Sequence, residues 1–377
     1  MTAVKQKDAY KTLRRIVIIL AVLALIAAAL TVLLKRQIDG TLDRMTADTN
    51  AMNEAAAEQH RQAVAEYNEQ HRQTKESLVR PVPRDTGWDV IDVTGFDLES
   101  PNAVTVSRQD ILSNGMLLLN RWHSIPADFP ENVVMSVVSV NSSIPVSGSG
   151  IKLFPTAIDA LADMLKAASD EGLENYLVDG GYRTLQEQTT LYQEEEAKYS
   201  TRYSGDALVE QVIRSVNYPG TSEYESGLSF RISRWRSNDS AFNGEKFDTT
   251  PHSDWLVENS WKYGIVFRFP VYGYPNDTVT DKSFKTGESK KLRIYRYVGE
   301  ANAAVMHTMD FCMEEYIEYL MDHPHIEVYE DGVKRYEILR VEGGASGDDV
   351  TVQVSTTAQS YSVSYDNMNG LVIAMTY

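Results

Sequence analysis

Cysteine is almost absent from this chain: Cys312 is the only one among 377 residues. A single thiol excludes an intramolecular disulfide and any metal site that needs several thiolates. Cys312 lies in the run M-D-F-C-M-E-E-Y-I-E-Y-L, whose apolar residues recur with helical spacing. Free cysteines are usually buried, so we expect a structural thiol here and not a nucleophile.

Positive charge is also scarce. The chain has 36 Lys and Arg against 53 Asp and Glu, which gives a formal net charge of −17 at pH 7. Phosphate backbones are bound by clustered Lys and Arg, so this composition argues against a nucleic-acid partner. The length is sufficient for one sizeable domain with additional segments.

A continuous apolar run covers residues 16–34 and is interrupted only by Thr31. As an α-helix it would be roughly 28 Å long, about one hydrocarbon thickness. Lys35-Arg36 follows it where a cleaved signal peptide would have small residues. The basic residues of segment 1–15 predict a cytoplasmic N-terminus, a single transmembrane helix and an extracytoplasmic remainder.

Residues 35–80 are polar and rich in alanine, which predicts a helical stalk. Apolar residues in its first half are spaced four and three apart, as in a heptad seam: Ile38, Leu42, Met45, Thr49, Met52 and Ala56. A coiled coil that makes the protein a homodimer and a solvated single-helix spacer both remain open. Pro81 and Pro83 end this segment, and 81–111 reads as an extended lead-in.

The most informative stretch is Y-P-G-T-S-E-Y-E-S-G-L-S-F-R-I at residues 218–232. It resembles the central motif of the VanY-type D-alanyl-D-alanine carboxypeptidases, P-G-x-S-E-H-x-x-G-x-A-x-D, whose His and Asp are zinc ligands. In this chain Tyr224 stands at the His position and Arg231 at the Asp position. The framework of the motif is kept, whereas two of its ligands are replaced.

Two further segments extend the resemblance. G-G-Y-R-T at 180–184 is similar to the family's S-G-Y-R-S, and the segment W-L-V-E-N-S-W-K-Y-G-I-V-F-R-F-P at 255–270 is similar to W-L-x-E-N-A-x-x-Y-G-F-I-x-R-Y-P. The resemblance implies that Arg183 reaches the substrate and stabilises negative charge at the attacked carbonyl. A structural ion pair at the end of a strand is the alternative role for Arg183.

The last motif of the family, E-P-W-H-x-R-Y-V-G, aligns with K-L-R-I-Y-R-Y-V-G at residues 291–299. Lys291 therefore takes the position of the catalytic Glu, and Ile294 that of the third zinc ligand. An arginine cannot coordinate a metal, and a lysine accepts a proton only if its pKa is strongly lowered. Where the family carries zinc, we therefore expect no cofactor in this chain and no catalytic residue.

The resemblance covers roughly residues 112–320 and implies an α+β fold, with a small antiparallel sheet flanked by helices, over 112–325. A long amphipathic helix is predicted for 301–321. Residues 326–377 read as a small β-rich C-terminal extension that starts with a hairpin at Asp331-Gly332.

The sequence thus predicts a membrane-anchored, extracytoplasmic pseudoenzyme that binds peptidoglycan stem peptides or regulates a wall-enzyme partner. The residues predicted to bind the peptide, some of them fixed cations where the family holds a dication, are Arg183, Ser222, Tyr224, Arg231 and Arg293.

Three alternatives stay open. Arg231 and Lys291 could pair with Glu223 and Glu225 and seal an obsolete pocket. The protein could be a dimeric scaffold that binds no peptide. It could also be an active hydrolase with a metal site rebuilt from the histidines in or beside the domain, namely His252, His307, His323 and His325.

Overall fold

The computed structural model describes residues 18–38, 40, 41, 44, 87–276, 278–290 and 293–377. The chain divides into two compact units, Met1–Arg80 and Pro81–Tyr377. In the first unit, helix α1 (Ile18–Ile38) is long and apolar enough to cross a membrane by length and composition. Most of the predicted stalk, including all heptad residues after Ile38, lies outside the described residues.

The second unit contains a four-stranded antiparallel sheet, which positions the candidate site. Its strands occur in the order β5 (Tyr176–Gly180), β6 (Ser229–Arg234), β8 (Ile294–Tyr297) and β7 (Ile265–Phe267). Helix α4 (Pro155–Asp170) buries its apolar face in the core of this region, together with Phe230 and Tyr295 of the sheet. The two-stranded pair β3 (Met135–Ser136) and β4 (Lys152–Leu153) precedes α4.

A second sheet of five strands joins the two ends of this unit. Its order is β1 (Trp88–Asp92), β9 (His325–Glu330), β10 (Val333–Glu342), β13 (Gly370–Thr376) and β12 (Ser360–Tyr365). A separate ribbon pairs β2 (Pro101–Val106) with β11 (Val350–Ser355). Both strands of the lead-in are therefore paired with strands of the C-terminal extension, a pairing that the sequence did not reveal.

Helices cover these sheets, and the α+β class predicted from the sequence is confirmed. The remaining helices are α2 (Arg108–Ser113), α3 (Val137–Val140), α5 (Leu185–Tyr199), α6 (Gly205–Val212), α7 (Ser240–Gly244), α8 (Pro251–Asn259), α9 (Ser283–Thr286), α10 (Glu300–Met309) and α11 (Met313–Asp322). The boundaries predicted at 111/112 and 325/326 lie within a single compact unit and remain predictions.

The long helix predicted for 301–321 is wrong in one respect, since the structure has two helices there. Asp310 adopts a left-handed conformation with φ of 53°, which ends α10. The Cys312 amide then donates to the Glu315 carboxylate at 3.1 Å and starts α11. Cys312 is 2 % exposed, in agreement with a buried structural thiol.

Candidate functional site

The central motif forms a tight turn that leads into β6. Residues Glu223–Ser226 make one 3-10 turn, and Gly227 ends it with φ of 68°. A Cβ atom at Gly227 would lie 2.8 Å from the ring of Phe154, so the position requires glycine for both conformation and space. The glycine of the motif therefore serves the fold.

The strand register brings the three predicted ligand positions together. Arg231 on β6 lies directly opposite Ile294 on β8. Tyr224 and Ile294 pack with Phe269 in a small buried cluster, which we call the apolar plug. Tyr224 is 8 % exposed and Ile294 is 4 % exposed. Two of the three positions that the resemblance assigns to metal ligands therefore belong to a buried, mainly apolar cluster.

Arg231 is neutralised by Asp179 and not by the glutamates of the motif. Its Nε donates to Asp179 Oδ1 at 2.7 Å, and its Nη2 donates to the Asp179 carbonyl at 3.2 Å. Burial opposes the charge, but the Asp179 hydrogen bond raises the pKa of Arg231 above its ordinary value. The predicted alternative in which Arg231 pairs with Glu223 or Glu225 is therefore wrong.

Arg183 lies over the Tyr224 ring, with its guanidinium carbon 4.2 Å from the ring centroid. Its Nη1 makes a long hydrogen bond of 3.4 Å to Gln188 Oε1. Burial and the nearby Arg231 lower the pKa of Arg183 from its ordinary value. Within the described part of the chain Arg183 forms no ion pair, contrary to the structural role considered above.

Tyr224 is a poor candidate for a metal ligand. Burial raises the pKa of its phenol, although Arg231 and Arg183 oppose that change. A neutral phenol, a guanidinium and an aliphatic side chain do not match the His, Cys or carboxylate ligands that zinc requires. Among the described residues no group of three His, Cys, Asp or Glu side chains could hold a metal ion. The residues at these positions therefore do not fit the zinc that the resemblance implies.

The remaining predicted site residues do not belong to the apolar plug. Arg293 precedes β8 with φ of 66° and forms no ion pair with any residue that the structure describes. Ser222 is 1 % exposed and its amide donates to the Glu225 carboxylate at 3.0 Å, so it belongs to the turn. Lys291 lies outside the described residues.

Sequence reasoning missed a buried ion network behind the turn. Glu223 accepts hydrogen bonds from Arg268 Nε at 2.6 Å and Arg296 Nη1 at 2.7 Å, and Arg268 also binds Glu314 at 2.8 Å. Both arginines are at most 1 % exposed. Burial opposes ionisation of Glu223, but the two guanidiniums lower its pKa. The available signal was the presence of arginines inside two otherwise apolar segments, F-R-F-P and Y-R-Y-V-G.

The four histidines considered for a rebuilt metal site lie apart and have other contacts. His252 binds the Glu174 carbonyl at 2.7 Å, and His307 stacks on Trp261 with ring centroids 4.3 Å apart. His323 contacts Asp92 at 2.8 Å, and His325 contacts Glu337 at 2.7 Å. They do not converge on one point in the described part of the molecule.

Comparison with known proteins shows which proteins this chain is similar to. Residues 150–282 match the VanY family model, described as D-alanyl-D-alanine carboxypeptidase. The chain is 26 % identical over 280 residues to the D-alanyl-D-alanine carboxypeptidase of Enterococcus faecium, with 74 % of this chain and 80 % of the relative covered. It is 29 % identical over 230 residues to the putative carboxypeptidase YodJ of Bacillus subtilis, with 59 % and 76 % covered.

A solved structure supports the same fold. The vancomycin-resistance D,D-dipeptidase VanXYg aligns with a TM-score of 0.55 and 20 % identity, over 74 % of this chain and 99 % of that one. The chain therefore carries an α+β domain of the same fold. Residues 150–282 of that domain match the VanY family model, which confirms the resemblance found in the sequence.

Proposed function

We propose that this protein is a membrane-anchored, extracytoplasmic member of the VanY-type family that binds the D-Ala-D-Ala end of peptidoglycan stem peptides without hydrolysing it. The observation that carries the proposal is the apolar plug of Tyr224, Phe269 and Ile294, with arginines beside it. The relative from Enterococcus faecium is a D-alanyl-D-alanine carboxypeptidase, which supports the choice of peptide.

The donor chemistry supports the absence of hydrolysis. A zinc peptidase needs three protein ligands and an open position, where the metal lowers the pKa of a bound water and so supplies the nucleophile. Tyr224 and Ile294 instead pack against Phe269, and Arg231 brings a fixed positive charge that would repel a dication. We therefore propose that no water is activated at this position.

The charge balance supports binding of a carboxylate. Three arginines, Arg183, Arg231 and Arg293, act electrostatically on the Tyr224 phenol, and Asp179 is the carboxylate acting on it. Arg231 is occupied by Asp179 at 2.7 Å. Arg183 and Arg293 make no ion pair with described residues, and a guanidinium binds a carboxylate through two parallel hydrogen bonds. The terminal carboxylate of a peptide is the matching ligand.

Titration calorimetry of the full-length chain in detergent with diacetyl-Lys-D-Ala-D-Ala tests this proposal. We expect saturable binding and no release of D-alanine, with or without added zinc. Arg183→Ala should abolish binding, whereas Arg202→Ala, which removes an exposed arginine, should leave it unchanged. Zinc-dependent release of D-alanine would overturn the pseudoenzyme assignment, and no heat at millimolar peptide would overturn peptide binding.

The proposed anchor rests on α1, Ile18–Ile38, and on the basic residues before it. We expect the protein to stay in the membrane fraction after alkaline extraction, with its N-terminus intact by mass spectrometry. Recovery of a soluble protein that has been cleaved near residue 36 would indicate a signal peptide and overturn the anchor.

A further inference from the structure

A cavity of about 640 Å³ lies where β1, the end of α8, helix α10 and the five-stranded sheet meet. Its volume falls within the range of roughly 300–1,000 Å³ that is typical of small-molecule sites. None of its lining residues belongs to the apolar plug, so the two places are separate. The lining residues on which the inference rests are Trp88, Glu258, Trp261, Lys262, Glu300 and Tyr336.

The aromatic rings of this cavity hold one another in place. Trp88 meets Trp261 edge-on with centroids 5.6 Å apart, and it lies nearly parallel to Tyr336 with centroids 6.1 Å apart. The Trp261 indole donates to the Glu258 carbonyl at 2.8 Å, and the Tyr336 hydroxyl donates to the Glu300 carboxylate at 3.4 Å. Preordered rings offer contact area with little further loss of side-chain entropy on binding.

The position of a cation over Trp261 is already taken. Lys262 Nζ lies 5.8 Å from the centroid of this ring and donates to Asn259 Oδ1 at 2.7 Å. His307 stacks on the same indole with centroids 4.3 Å apart. A ligand cation binds over the open face of an aromatic ring, and here it would meet an ammonium group. The arrangement therefore disfavours a cationic ligand.

The carboxylates of the cavity disfavour an anion. Glu258 and Glu300 are exposed at its surface, and neither forms an ion pair with a residue that the structure describes. Arg335, a further cation of the lining, is engaged by Glu330 at 2.9 Å. An ionised carboxylate only accepts hydrogen bonds, and its two oxygens can accept from two donors at once. A ligand with neighbouring hydroxyl groups supplies such donors.

A neutral sugar ring matches both the aromatic and the polar part of the cavity. The faces of a pyranose with equatorial substituents carry axial C–H groups, which are attracted to the electron-rich face of an aromatic ring. Its edge carries hydroxyl groups, and each of them donates and accepts hydrogen bonds. These hydroxyls can therefore bind the two carboxylates and the Lys262 ammonium at the same time.

We propose that this cavity is a second binding site, which takes a neutral oligosaccharide of equatorially substituted sugars. Trp88 and Tyr336 contact the C–H face of a sugar, and Glu258 and Glu300 accept hydrogen bonds from its hydroxyls. The site goes beyond the proposed function and does not depend on it, because it shares no residue with the apolar plug.

Four sugar tetramers that differ in charge test the inference by titration calorimetry. The full-length chain is kept in a detergent without a sugar headgroup, since such a headgroup would itself compete. The probes are the β-1,4-linked tetramers of glucose and N-acetylglucosamine, which are neutral, of glucosamine, which is cationic, and of glucuronic acid, which is anionic. We expect saturable binding of at least one neutral tetramer, tighter than either charged tetramer by about tenfold or more.

Two variants place the binding in the cavity. Tyr336→Leu removes a ring but keeps an apolar side chain, and Glu258→Ala removes an exposed carboxylate. Each should weaken binding of the neutral tetramer by about tenfold. Glu194→Ala, which removes an exposed carboxylate of α5 outside the cavity, should leave it unchanged. Thermal unfolding of each variant identifies a folding defect, and the exposed Glu258 position keeps the test decisive if Tyr336→Leu does not fold.

The outcomes separate this site from the peptide site. Tighter binding of the glucosamine or the glucuronic acid tetramer would overturn the assignment to a neutral sugar. Absence of binding by both neutral tetramers, or binding that Glu258→Ala and Tyr336→Leu leave unchanged, would overturn the site. Glu258→Ala should keep the heat of binding of diacetyl-Lys-D-Ala-D-Ala, so that either proposal can fail while the other stands.

Discussion

At the scale of single residues, the side chains at the predicted ligand positions depend on one another. Tyr224 and Ile294 pack on Phe269, and Arg231 is neutralised by Asp179. A partly buried cation without its carboxylate is costly, and a polar group against Phe269 would lose packing. Replacing one of these residues alone by the zinc ligand of the motif would therefore leave the new ligand next to an apolar or a positively charged side chain.

This dependence leads to a prediction about zinc. The triple variant Tyr224→His, Arg231→Asp and Ile294→His should bind about one zinc ion per chain, because the strand register already brings these positions together. The parent protein should bind none, measured by metal analysis after dialysis against a weak chelator. The double variant that keeps Arg231 is the matched control and should fail to retain zinc. Stoichiometric zinc in the parent protein would contradict the prediction and the proposed function.

A second prediction concerns Glu223, which is retained from the motif for a structural reason. Glu223→Gln leaves Arg268 and Arg296 buried with less counter-charge, so the free energy of unfolding should fall by about 3–5 kcal/mol. Glu210→Gln removes a partner of the exposed pair with Arg121 and should cost about 1 kcal/mol or less. Urea unfolding of both variants checks this difference. Equal losses would show that the network is not a source of stability.

At the scale of structural elements, two helical segments end at glycines that differ in their surroundings. Gly172 follows α4 with φ of +86°, and a Cβ there would meet nothing within 4 Å. Gly264 ends the turn after α8 with φ of +70°, and a Cβ there would lie 2.7 Å from the backbone of Gly299. Both glycines adopt the left-handed conformation. Only at Gly264 does neighbouring backbone also leave no space for a side chain.

The two glycines therefore form a matched pair for mutation. Gly172→Ala should lower the free energy of unfolding by about 1–2 kcal/mol, the cost of a Cβ in a left-handed conformation. Gly264→Ala should cost about 1–3 kcal/mol more, because the β7–α10 region must also shift. Chemical denaturation of the two variants measures the difference in the free energy of unfolding. Equal losses would show that the backbone at Gly299 moves to make room for the added Cβ.

A glycine that follows an apolar periodic run is a local signal for a helix end, so ends of this kind can be read from a sequence. The sequence also predicted the meeting of positions 224, 231 and 294, through a motif whose register is specific. It did not predict the break at Asp310, since an aspartate in a left-handed conformation has no strong local signal. The pairing of β1 with β9 and of β2 with β11 was also missed, because periodicity contains no information on distant partners.

At the scale of the whole molecule, His325 joins the lead-in to the C-terminal extension. Its Nε2 contacts Glu337 Oε1 at 2.7 Å, and its Nδ1 contacts the Phe96 carbonyl at 3.0 Å. Both ring nitrogens face acceptors, so the imidazolium form satisfies both contacts. The Glu337 hydrogen bond raises the pKa of His325. Burial opposes the charge of Glu337, but hydrogen bonds from His325, Lys334 and Tyr377 lower its pKa to about 2.

These shifts predict a stability maximum in mildly acidic solution. The His325 contribution is complete below its ordinary pKa of 6.5 and is lost as pH rises through its higher folded value. The Glu337 contribution is complete above 4.5 and is lost as pH falls towards about 2. Urea midpoints should therefore fall from pH 6.5 upwards, and His325→Gln should flatten that decline. A parent protein equally stable from pH 6 to pH 9 would contradict the assignment.

The pairing of β1 with β9 also determines how the folded unit responds to a pulling force. Among the described residues β1 is the first strand after the proposed anchor, and its five residues pair in register with β9 at the edge of the large sheet. With the proposed anchor in a bilayer and the proposed ligand in a cross-linked polymer, the protein would bear tension whenever the two separate. That load enters the folded unit through β1, so the hydrogen bonds between β1 and β9 are the first to resist it. Release of this edge strand would then lengthen the tether, while the four-stranded sheet that carries the proposed peptide site stays folded.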